Sequence, residues 1–241
     1  MATAAADRIF CAVDTHDDAA AAALVAAVGD AVGGIKLGLE FFLAHGQAGV
    51  RRVAADRRLF LDLKLHDIPN TVVGGLRAVL PLRPAFLTLH TIGGGEMMRR
   101  AADDAARSED GLRTKLLGVT VLTSLGDTDL DATGQTPPVA DQVRRLARLA
   151  QESRLDGVVA SPHEVATLRA ECGPDFLIVT PGVRPAWAAA DDQKRVMSPA
   201  EAVGAGADYL VIGRPITRAA KPAEAVARIA AEIDADGGAS R

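Results

Sequence analysis

Residues Leu59 to Thr71 read LFLDLKLHDIPNT. An apolar run of the kind that fills a core carries Asp62 and Lys64 inside it and Asp67 just beyond it. On a strand, residues two apart point to the same side with backbones about 6.5 to 7 Å apart, so Asp62 and Lys64 share one face and can interact. Past Pro69 the chain continues as NTVVGGLRAVLPL, with apolar residues at helical spacing after an Asn start signal. The stretch therefore reads as a strand leading into a helix, with charge gathered at the strand's C-terminal end.

The same unit recurs along the chain. Candidate strands are 9–14 (IFCAVD), 34–38 (GIKLG), 59–64, 85–90 (AFLTLH), 115–122 (KLLGVTVL), 156–161 (DGVVAS), 176–180 (FLIVT) and 209–213 (YLVIG). Helical patterns lie between most of them, the weakest around 40–55, where glycines and a His-Gly pair interrupt it. Continuously apolar strands are expected when both faces of a parallel sheet are covered. Eight alternating units without a proline-rich or serine-rich linker predict an α/β fold, a single-domain TIM (β/α)8 barrel over residues 1–241 with short flexible ends at about 1–7 and 235–241. An open, doubly wound sheet is the alternative.

Composition narrows the function classes. About half of the 241 residues are apolar (49%) and 24% are charged, as in a globular protein with a sizeable core. A net charge of -4 gives no basic footprint for nucleic acid or an anionic membrane. The start MATAAADR lacks the pattern of a secretory signal, and the alanine-rich run 19–28 is too short to span a bilayer. Cys11 and Cys172 have neither metal-ligand spacing nor a disulfide framework, so a reduced cytoplasmic protein is expected.

Asp14, Lys36, Lys64, His90, Thr123, Ser161, Thr180 and Arg214 each fall at or just after the end of a different candidate strand. In a barrel those ends share one rim, where barrel enzymes assemble their sites. Strand ends are polar in many proteins, and two lysines with two aspartates could form a buried ion network serving structure alone. Burying charge is costly, however, and apolar replacements are often as stable, which favours function.

DLKLHDIPNT resembles the Asp-x-Lys-x-x-Asp-Ile-Pro-Asn-Thr signature of the orotidine 5'-phosphate decarboxylase family. The similarity extends through AVD, IKLG, VTVLTS, LDGVVAS, VTPGVRP, DDQKRVMSP and YLVIGRPIT, in order along nearly the whole chain. The resemblance implies decarboxylation of orotidine 5'-phosphate to UMP in a homodimer with shared active sites, with no cofactor and no metal. It assigns Lys36, Asp62, Lys64 and Asp67 to an alternating catalytic charge network, Asp67 coming from the partner subunit. Asp14 and Lys36 match contacts to the ribose, and Thr71 matches a second residue crossing the interface. Thr123 and Ser124 fall where the family binds the pyrimidine. Gln193, Arg214 and the backbone of Gly213 match the phosphate grip, with Arg184 in the phosphate-side loop. The TIGGG after strand four departs from the family's usual Ala-Ser-Gly-Gly.

This chemistry suits such residues. Loss of CO2 from C6 of a pyrimidine leaves a carbanion without the usual delocalisation, and decarboxylases with cofactors supply an electron sink. No dinucleotide glycine fingerprint or metal-spaced His and Cys cluster is visible, which leaves electrostatics: Asp62 facing the substrate carboxylate, Lys64 stabilising the developing charge and protonating C6. Glycines in TPGVRP and VIGRP follow strands seven and eight, a phosphate-binding place in barrels. Segment 184–198 is a candidate lid, although Trp187 and the aspartates within it read individually as surface residues. The five histidines have no metal spacing, and His90 is a candidate supporting donor. Two other readings stay open: a magnesium-dependent sugar-phosphate synthase or decarboxylase of similar fold, whose members typically carry an acid at the place of Lys36, and a non-catalytic phosphate-ligand binder.

Overall fold

The computed structural model describes residues 4–106, 113–188 and 197–237. Eight strands close into a parallel barrel: β1 (Ile9–Val13), β2 (Gly34–Gly38), β3 (Leu59–Leu65), β4 (Phe86–His90), β5 (Lys115–Val119), β6 (Gly157–Val159), β7 (Leu177–Pro181) and β8 (Tyr209–Ile212). They stand in sequence order, and β8 returns to pair with β1 through Ile9 opposite Leu210. That pairing decides for the closed barrel over the open sheet.

The connecting helices among the described residues are α1 (Asp18–Val28), α2 (Leu39–Ala54), α3 (Pro69–Val79), α4 (Gly95–Ala105), α5 (Asp127–Ala132), α6 (Val139–Glu152), α7 (Val165–Cys172), α8 (Pro199–Gly204), α9 (Arg214–Thr217) and α10 (Pro222–Gly237). None is long and apolar enough to cross a membrane. Local signals act as expected: the Asp17 carboxylate accepts from the Ala20 N–H at 2.9 Å and starts α1. The weak second helix does form, burying Phe41, Val50 and Val53, with a break at Gly46 (φ 58°), a conformation that glycine adopts without a Cβ penalty. Strand five ends at Val119 rather than residue 122. The connection after it carries α5, an extra short helix that the periodicity did not reveal.

Two apolar regions hold the barrel together. One lies between sheet and helices, filled by outward residues such as Ile35, Leu37, Leu61 and Leu87. The other is the barrel interior, where Phe10, Phe60 and Phe86 pack with ring centroids 5.3–5.8 Å apart and Tyr209 closes against Phe10 and Phe86. The Arg58 guanidinium lies 5.0–5.2 Å over three of these rings and donates to the Tyr209 hydroxyl. This aromatic floor fills the interior below the charged rim, so the site opens at one end only.

Gly34 makes the floor possible. A Cβ there would sit 2.5 Å from the Phe10 ring and 2.5 Å from the Arg58 carbonyl oxygen. Gly34→Ala is therefore an overpacking change against backbone, expected to cost about 1–3 kcal/mol in urea unfolding. An unchanged midpoint would mean that the floor relaxes freely.

Candidate active site

The site grows from an irregularity in β3. Leu61 pairs with Leu87 of β4, but the next pair is Leu65 with Leu89, so β3 spends four residues where β4 spends two. Within this bulge Lys64 adopts φ 49°, a left-handed conformation uncommon outside glycine. Its N–H donates to the Thr88 hydroxyl at 2.9 Å, and that hydroxyl donates to Asp62 Oδ1 at 2.8 Å.

Around this bulge the charges alternate. Lys64 Nζ is 2.7 Å from Asp62 Oδ2, Lys36 Nζ is 3.8 Å from the same oxygen, and Lys36 also donates to Asp14 Oδ1 at 2.9 Å. Lys36 on β2 reaches Asp62 from the adjacent strand, as the strand order predicts. Along the contacts side-chain exposure is 64% at Asp14, 10% at Lys36, 14% at Asp62 and 35% at Lys64, so the middle of the network is buried and its two ends are open. Burial opposes ionisation of Asp62. Lys36, Lys64 and the hydrogen bonds from Lys64 and Thr88 outweigh it and hold the carboxyl below the usual carboxylate range.

One cavity of about 670 Å³ gathers most of the expected residues: Asp14, Lys36, Asp62, Lys64, Thr123, Arg184, Gly213 and Arg214 all line it. Its size suits a ligand bound mostly within the protein. Lys36, Asp62 and Lys64 stand on β2 and β3. Arg184 and Arg214 follow β7 and β8 and line the same cavity, and their guanidinium forks suit phosphate oxygens. Gly182, with φ 80°, supplies the turn after β7. Phe60, Val159 and Val211 give the cavity an apolar base.

Other expected residues stand apart. Asp67, Thr71 and Ser124 are exposed and do not line the cavity. The Asp67 carboxylate accepts from the Ile68 N–H and has no ion pair among the described residues. Gln193 lies outside the described residues. His90 does not line the cavity, and its buried Nδ1 has no hydrogen-bond partner; its pKa is pushed down by burial first, then by His66 and Lys64. Trp187, read from sequence as a surface residue, packs against the core beneath Arg228, whose guanidinium is 4.5 Å from the ring. The Arg184 N–H bonds the Met197 carbonyl at 3.1 Å, joining the two ends of the candidate lid segment. Thr88 was not singled out in the sequence. Its signal was the period of two, which places it inward between Phe86 and His90 within FLTLH.

The family model described as "Orotidine 5'-phosphate decarboxylase / HUMPS family" matches residues 7–229. The orotidine 5'-phosphate decarboxylase of Rhodospirillum rubrum is 54% identical over 239 residues, covering 97% of this chain and 96% of the relative. That of Thermobifida fusca is 50% identical over 231 residues, covering 95% and 97%. The crystal structure of orotidine 5'-phosphate decarboxylase from Lactobacillus acidophilus superposes with a TM-score of 0.83 at 37% identity, covering 94% of this chain and 98% of that one. The chain belongs to the orotidine 5'-phosphate decarboxylase / HUMPS family.

Proposed function

We propose that this protein decarboxylates orotidine 5'-phosphate to UMP without a cofactor. The observation that carries the reading is the Lys36–Asp62–Lys64 network lining a cavity that Arg184 and Arg214 also line. The substrate phosphate binds the two arginines and the backbone at Gly213, with Gln193 completing the grip. Asp14 and Lys36 hold the ribose hydroxyls, and Thr123, which lines the cavity, binds the pyrimidine edge.

This pose brings the C6 carboxylate against Asp62. Two like charges in a site with an apolar base disfavour the bound ground state, whereas Lys64 gains interaction as charge moves onto C6. The C6–carboxyl bond breaks, its electron pair stays on C6, and CO2 leaves. The Lys64 ammonium then donates a proton to C6. Phosphate binding, remote from the reacting carbon, supplies binding energy that holds the substrate in this opposed geometry.

The dimer belongs to the same reading. Asp67 and Thr71 do not line their own cavity, and the segments after β2, β3 and β4 carry exposed Leu39, Leu43, Ile68 and Ile92 (47–74% exposed). An apolar surface beside unused polar residues is what an isologous interface requires. Asp67 then approaches the partner's Lys64 and completes the alternating network, and Thr71 reaches the partner's ligand. The cytoplasm suits both cysteines, which are free and buried, the Cys11 thiol being pushed up to about 12 chiefly by burial. No nucleic-acid or membrane partner is part of this reading.

Lys36 favours this reading over a magnesium-dependent one, because its ammonium stands between Asp14 and Asp62, where a divalent cation would need ligands. The test follows the absorbance of orotidine monophosphate with the purified protein, with and without EDTA. Turnover undiminished by EDTA is expected. Absence of turnover would refute the activity, and loss on chelation would favour the magnesium-dependent alternative.

A further inference from the structure

We propose that Thr88 is a positioning residue of the reaction, its one hydroxyl setting the Asp62 carboxylate and the Lys64 main chain in the relative placement that protonation of C6 needs. The inference rests on the decarboxylase reading and extends it to a residue outside the charged network.

The β3 bulge creates a problem that Thr88 solves. By the alternation of a regular strand, with the Arg58 carbonyl toward β2 and the Leu59 carbonyl toward β4, the Lys64 N–H would face β2; the shift between the Leu61–Leu87 and Leu65–Leu89 pairs turns it to β4, where the Thr88 hydroxyl meets it. A buried N–H left unpaired is costly, and a residue at φ 49° needs something to hold it there. The Thr88 oxygen accepts this N–H at 2.9 Å, and its proton goes to Asp62 Oδ1 at 2.8 Å. Donor and acceptor capacity are thus each used on one of the two groups that face the reacting carbon.

Among the described residues the side chain makes no other hydrogen bond. Thr88 is 0% exposed and does not line the cavity, so it acts on the substrate only through Asp62 and Lys64. Asp62 takes Lys64 on Oδ2 and Thr88 on Oδ1, so the two donors together fix the carboxylate plane. Without the hydroxyl the carboxylate is free to rotate, and the Lys64 backbone is free to relax toward an extended φ, which redirects its Cβ and moves Nζ. The loss should fall on the chemical step and leave phosphate and ribose binding intact.

Thr88→Val keeps the shape and removes the hydroxyl. A misplacement on the order of 1 Å costs about a hundredfold, so kcat should fall about 10- to 100-fold, with KM and UMP affinity within about threefold of wild type. The hydrogen bond from Thr88 favours ionised Asp62, so its removal raises that carboxyl's pKa and moves the acid limb of kcat/KM to higher pH. Thr88→Ser retains the hydroxyl and should restore both kcat and the acid limb.

A Val variant with wild-type kcat per active site and an unshifted acid limb would overturn the proposal. If the Val variant does not fold, the Ser variant decides: activity within about threefold of wild type supports the hydroxyl's role, and a tenfold loss there would mean that the methyl's packing is what matters. A crystal structure of Thr88→Val with Asp62 and Lys64 unmoved would overturn it independently of any rate. Wild-type protein inactive on orotidine monophosphate is a separate outcome, because it refutes the decarboxylase reading itself.

Discussion

Lys64→Ala should abolish measurable turnover while leaving UMP binding and the thermal midpoint near wild type. A unit charge about 4 Å from the developing carbanion contributes about 4 kcal/mol at an effective dielectric of 20, or roughly a thousandfold in rate. The higher dielectric is the proper choice because Lys64 is 35% exposed in the isolated chain. Loss of the proton donor adds about 10²- to 10⁴-fold, so a total loss on the order of 10⁵-fold or more is expected in single-turnover assays. The variant must still bind UMP, since Arg184, Arg214, Asp14 and Lys36 are untouched. Retained turnover would remove Lys64 from the chemistry. Lost UMP binding would mean that it holds the ligand instead.

Complementation gives the second large effect. Asp62→Asn and Asp67→Asn should each be nearly inactive alone, yet regain activity when mixed and allowed to exchange subunits. In a heterodimer, one site combines both substitutions, while the other has an intact Asp62 from one subunit and an intact Asp67 from its partner. With random exchange, half the dimers are mixed and half of their sites are whole, so about a quarter of wild-type activity should return. Activity that stays at the level of the single variants would place Asp67 in the site of its own subunit, or remove it from the site. The geometry motivates the experiment directly: among the described residues the Asp67 carboxylate bonds only its neighbouring main chain, and Ile68 beside it is 66% exposed.

The two halves of LFLDLKLHDIPNT differ in how much could be read from them. Asp62 and Lys64 were legible as a pair because strand periodicity alone puts residues two apart on one face, and in the structure they meet at 2.7 Å. Lys36 was legible through strand order, since consecutive parallel strands are neighbours in a barrel. Nothing local announces the bulge between them or the left-handed φ of Lys64. That backbone is held by Thr88, 24 residues away on another strand. Trp187 was misread for a similar reason: its partner Arg228 lies on α10, and no local pattern links the two.

By itself, the sequence determined the alternation of apolar strands and amphipathic helices, the gathering of charge at strand ends, and the family signature in that charge. These are encoded by side-chain type and by periods of two and 3.6 residues, which depend only on neighbouring residues. The tertiary structure decided that β8 closes on β1, that Asp14, Lys36, Asp62 and Lys64 form one chain of contacts with a buried middle, and that a buried threonine bonds Asp62 within it. Those outcomes depend on register between strands far apart in sequence. Register is fixed when the barrel packs around its aromatic floor, where Gly34 leaves the space that the Phe10 ring fills.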